Sequence, residues 1–211
     1  MALATYALLC FGSLFSIVDP FAALPVFLAL VGAQPPEAQR RTALRAAVTL
    51  LVLLLTFGLA GTLIFKFFGI TLSAFKIAGG IVLFGLGLEM MRAKDSDLRS
   101  TEAERTEAET KEDVGVIPLG IPLLSGPGAI ATTMVLVGKA EGPAQHAAIF
   151  MAIGAVALIT FLVLRSAPVV ARVLGRTGIN LIGRIMGLIL AALAMQFILD
   201  GIREAFPKII G

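Results

Sequence analysis

Apolar positions in this chain fall in long blocks, not in the alternation of a half-buried strand. Six blocks, approximately 3 to 31, 43 to 65, 69 to 91, 114 to 138, 146 to 171 and 179 to 202, reach the roughly 20 residues that a helix needs to cross a bilayer. The pattern predicts an all-α membrane protein with six transmembrane helices, since a spanning segment must satisfy its backbone hydrogen bonds internally. Connections are short except at residues 92–113, "RAKDSDLRSTEAERTEAETKED", where apolar periodicity disappears. That stretch reads as a charged, solvated cytoplasmic linker. It separates a first three-helix repeat, residues 1–91, from a second, residues 114–211.

Composition narrows the function classes. With 58% hydrophobic and 15% charged residues in 211, the chain carries more apolar surface than one soluble core can bury. No basic residue precedes the first block, so a retained span is expected there and not a cleaved signal peptide. One cysteine, Cys10, and one histidine, His146, leave no disulfide and no metal-ligand pair to expect. No cofactor, metal or nucleic-acid partner is implied, and an enzyme is not expected.

Basic residues near the span ends give the orientation. If the N-terminus is outside, twelve of the 17 Lys and Arg residues, including Arg40, Arg41, Arg45, Arg165, Arg172 and Arg184, face the cytoplasm. Both termini are then expected on the periplasmic side of a bacterial inner membrane. Three spans per half means that a repeat between the halves has inverted topology. Pro20 and Pro127 stand 107 residues apart, while "FKIAGGIVL" and "GRIMGLIL" align Lys76 with Arg184 and Gly79 with Gly187 at an offset of 108. Inverted repeats point to a transporter.

Two of these spans carry helix-start signals in their middle. Asp19 and Pro20 form an N-cap followed by a proline at the first helical position, and "PLLSGPGAI" repeats the signal with Gly126 and Pro127. Helices 1 and 4 are therefore expected to be broken, with two half-helix starts facing each other at mid-membrane. Proline kinks that only help packing are the plain alternative. Because Gly126 offers no capping side chain, the amides of Gly128 and Ala129 form a seat for a carboxylate, while Asp19 faces an ammonium group. The candidate substrate-binding residues are Asp19, Pro20, Phe21, Ala22, Ser125, Gly126, Pro127, Gly128 and Ala129, with Gln196 either touching the ligand or bonding between helices. A small zwitterion suits the limited side-chain volume. Lys76 and Arg184 either snorkel to the nearer interface or hold a half-helix carbonyl end as structural or coupling residues. Gly79, Gly80, Gly85, Gly87, Gly183 and Gly187 are read as close-packing positions.

The blocks "DPFAALPVFLAL", "FKIAGGIVLFGLGLEMM", "IPLGIPLLSGPGAIATTMVL" and "GINLIGRIMGLILAALAMQFILDGI" together resemble the MarC family over essentially the whole chain. The resemblance implies six spans and a grouping with SnatA-type transporters of small neutral amino acids, with proton-linked movement of glycine and alanine. Relatives that carry Asn at the position of Asp19 leave two roles open for that residue, a helix cap alone or a cap that also carries a proton. The alternatives carried beside amino-acid transport are efflux of another small solute or drug, and a non-transporting membrane scaffold.

Overall fold

The structure is a computed structural model that describes residues 3–32, 34–92 and 114–206. Nearly all of the expected linker therefore lies outside the described residues. Among the described residues eight helices follow in chain order: α1 (Leu3–Val18), α2 (Pro20–Val31), α3 (Pro36–Phe68), α4 (Leu72–Arg92), α5 (Gly115–Leu124), α6 (Pro127–Gly138), α7 (Pro143–Arg165) and α8 (Ala167–Ala205). No strand occurs among the described residues. Among the described residues, five stretches are each long and apolar enough to span alone, α1 with α2, α3, α4, Pro143–Gly175 and Thr177–Ala205, and α5 with α6, bent by 60°, forms one more that is fourth in chain order. The boundary between the fifth and sixth spans is Gly175, at φ 62° and ψ 177°, a conformation open essentially to glycine alone.

The two expected breaks differ in kind. At Asp19 a single residue leaves the helix, and Leu3–Val31 still runs as one 29-residue span. The fourth span is disrupted over a longer stretch, because Pro118 and Pro122 push the residues before them, Ile117 and Ile121, into extended backbone. Ser125 and Gly126 are also non-helical, and the chain changes direction before α6 begins.

The helix surfaces are dressed for lipid. Large apolar side chains point outward on α3 and α8, with Leu59 73% and Phe67 81% exposed, while Leu14, Leu50, Leu54, Ile149 and Ile153 fill the interior. A soluble protein would not tolerate such patches. Packing between helices relies on small residues, as expected where lipid removes the hydrophobic drive to associate. α4 and α8 run antiparallel in the most extensive contact, and they approach so closely that a Cβ on Gly87 would lie 2.7 Å from the Gly187 carbonyl oxygen. Gly80 meets the Ala194 carbonyl and Gly79 meets the Pro127 ring in the same way. Gly85 departs from the expectation, for nothing lies within 4 Å of its missing side chain.

Candidate functional site

The break in the first span is built around Asp19. Its backbone is left-handed, φ 42° and ψ 71°, a region that Asp and Asn tolerate better than other side-chain-bearing residues. The chain stays hydrogen-bonded through the break, with Asp19 N donating to Phe15 O at 3.0 Å and Ala23 N to Asp19 O at 3.1 Å. Oδ1 caps α2 by accepting from Ala22 N at 3.2 Å. Pro25, lacking an N–H, leaves the Phe21 carbonyl without its usual helical donor. The break therefore presents acceptors, a carboxylate above all.

A cavity of about 290 Å³ opens beside it, lined by Ser16, Asp19, Ala22, Ala23, Leu193 and Phe197 among others. That is near the lower limit of ligand-pocket volumes. Ala22 and Ala23 keep one wall low, and the α8 face at Met186, Leu190, Leu193 and Phe197 closes the other.

The second half-helix start lies just behind this wall. Gly126 is the extended N-cap of α6 and makes no side-chain cap bond, and Pro127 occupies the first helical position, packed on Gly79. A Cβ on Gly128 would meet Ile17 at 3.2 Å and Phe197 at 3.8 Å, and both of these residues line the Asp19 cavity. Ser125 is 2% exposed, and its buried Oγ has no hydrogen-bond partner. A buried unpaired hydroxyl costs about 1–3 kcal/mol. Ser125 and Pro127 instead border a second cavity, about 460 Å³ and almost wholly apolar, shared with Phe57, Phe75, Gly79 and Ile130.

The structure thus brings Asp19, Ala22 and the start of α6 into one neighbourhood but not into one cavity. Ile17 and Phe197 stand between them. Pro20 is buried, whereas Phe21 is 62% exposed and absent from the cavity lining. Gln196, read from sequence as a ligand or interhelical group, is turned along its own helix, where its Nε2 donates to Asp200 Oδ1 at 2.8 Å, one turn away. Of the two readings weighed for Lys76, the half-helix carbonyl is not the partner found: its ammonium pairs with the Glu204 carboxylate at the end of α8. Arg184 is exposed. His146 lies in the first turn of α7, with Nδ1 2.9 Å from the Gly142 carbonyl oxygen. Phe197 was missed in the sequence, although its spacing from Met186, Leu190 and Leu193 marks one helix face. Among the described residues no cluster of three or more His, Cys, Asp or Glu could hold a metal.

Comparison with known proteins agrees with this architecture. Residues 4–206 match the family described as "MarC family integral membrane protein". The chain is 44% identical to a UPF0056 membrane protein of Pyrococcus abyssi, covering 97% of each chain. It is 36% identical to the UPF0056 membrane protein YhcE of Escherichia coli K12, over 95% of this chain and 93% of that one. No solved structure matches.

Proposed function

Because the chain belongs to the MarC family of integral membrane proteins, we propose that its broken spans hold a substrate within the bilayer, and that it is a secondary transporter of small neutral amino acids of the glycine and alanine class. The observation that carries this reading is the Asp19 cavity. A carboxylate in a left-handed backbone, capping a helix that starts inside a span, borders a space of about 290 Å³ with Ala22 and Ala23 on one side and large apolar side chains on the other. Unusual backbone conformations cluster at ligand sites, and intramembrane acids mark substrate paths. An ammonium group suits Asp19, and the α6 start with Ser125 suits the substrate carboxylate. Since Ile17 and Phe197 separate the two, the reading requires Phe197 to swing aside when substrate binds. The sequence offset between the halves supports an inverted repeat, and the arginine-rich span ends support outward termini in a cytoplasmic membrane. Protons are the coupling ion we propose, with Asp19 as the carrier.

One observation favours a second reading. The apolar cavity beside Phe57 and Phe75 is larger than the Asp19 cavity and would suit an apolar solute, as drug efflux would need.

A ligand that binds only the folded state raises stability by RT ln(1 + [L]/Kd), about 2.7 kcal/mol at one hundred times Kd. Melting of the detergent-purified protein should therefore shift upward with glycine, alanine or serine and far less with leucine or phenylalanine, and Ala22→Leu should remove the shift. Equal shifts with the large amino acids, or none with the small ones, would contradict the reading.

A further inference from the structure

The apolar cavity of about 460 Å³ beside the bend of the fourth span has a mouth that its own lining identifies. Val82 of α4 and Ile117 and Ile121 of α5 line the cavity and are also exposed, at 53%, 47% and 36%. α4 and α5 touch each other only sparsely, so the opening lies between them. Phe57 and Phe75, with ring centroids 6.1 Å apart, and the Pro127 ring at the start of α6 form other walls. We infer that this cavity seats one acyl chain of a membrane lipid, which enters from the bilayer through the gap between α4 and α5.

The occupant follows from what the lining and the mouth admit. A space of this size left unfilled would forfeit the dispersion contacts of its lining, against the close packing of protein interiors. Water does not meet that need, because an enclosed water requires two to four polar partners and apolar cavities stay dry. The cavity is almost wholly apolar, and the one polar side chain in its lining, Ser125, is itself 2% exposed. Val82 is the central residue of the span Leu72–Arg92, which puts the mouth in the hydrocarbon core of the bilayer and out of reach of headgroups. Lipid tails are as apolar as leucine, and they surround this mouth in excess over any dissolved solute. An apolar solute would have to displace them.

The seat also touches the bend itself. Pro122 and Ser125 before the 60° bend and Pro127 and Ile130 after it all line the cavity, so a chain held there packs against both arms. None of its lining residues is shared with the Asp19 cavity. The inference therefore stands apart from the transport reading.

The chain contains no tryptophan, so a single introduced indole reports on its surroundings alone. The full chain carrying Phe75→Trp is reconstituted into vesicles of phosphatidylcholine with either ordinary or brominated acyl chains, since bromine quenches an indole only at close approach. Leu59→Trp, at a position 73% exposed on the outside of α3, gives the quenching that bulk lipid produces. Phe75→Trp should lose emission in the brominated vesicles to a similar extent. Adding Val82→Phe and Ile121→Phe narrows the mouth from both rims, two helical turns from Phe75 and on the neighbouring helix. That change should restore most of the Phe75→Trp emission and leave Leu59→Trp quenched. Should Phe75→Trp fail to insert, Phe57→Trp reports on the same cavity from α3. Full emission of the cavity indole in brominated vesicles, or quenching that the narrowed mouth leaves undiminished, would overturn the inference.

Discussion

Asp19 joins backbone and chemistry at a single residue. Its side chain accepts from Ala22 N while its own backbone is left-handed, so a replacement has to satisfy both conditions. Asn does so, and Asp19→Asn should leave the melting temperature nearly unchanged. Asp19→Ala loses the cap, worth about 1 kcal/mol, and adds the cost of a left-handed alanine. Its melting temperature should fall measurably in the same assay. The two variants also separate structure from coupling: exchange of substrate should survive in Asp19→Asn, while accumulation driven by a pH gradient should be lost. The cap was legible in sequence because "DP" is a local signal. The left-handed turn was not, since Asp is compatible with several N-cap conformations. Gln196 and Lys76 each find an acid: Asp200 lies one turn along the same helix, a spacing open to reading in the sequence, whereas Glu204 on a distant helix has no local signature.

Among the elements, the α4–α8 contact carries the tightest constraints. Gly87 and Gly187 each lie against the other's backbone, so Gly187→Val has no room without parting the helices. Overpacking of this kind costs about 1–3 kcal/mol or more. Gly187→Val should lower the melting temperature sharply, whereas Gly85→Ala, facing open space, should not lower it. The small-residue pattern marked both positions, and only the helix register distinguishes them. The pair of Lys76 and Glu204 ties the start of α4 to the end of α8, but Glu204 is 47% exposed. A double-mutant cycle with Lys76→Gln and Glu204→Gln should give a coupling of about 0–1 kcal/mol. The bend of the fourth span was legible from Pro118, Pro122 and Pro127, because prolines act locally. Its extent follows from the two extended residues before them and was not.

For the whole molecule, six apolar blocks were enough to give the spans. What the pattern could not give is the partition of the centre into separate cavities, because Ile17 and Phe197 come from distant parts of the chain and meet only after folding. Orientation is open to a direct check. Cys10 is fully buried, so in a Cys10→Ala background Ser96→Cys should be shielded from impermeant thiol reagents in intact cells, and Glu141→Cys between α6 and α7 should react. Reversed labelling would invert the topology. The central claim, that this chain carries small neutral amino acids across a membrane through the Asp19 cavity, is tested most directly by counterflow. Liposomes containing the purified protein and loaded with unlabelled alanine are placed in labelled alanine. The account predicts uptake of label well above protein-free liposomes, competition by glycine and serine but not by phenylalanine, and loss of uptake in Ala22→Leu. Label uptake no greater than in protein-free liposomes, or full uptake in Ala22→Leu, would contradict it.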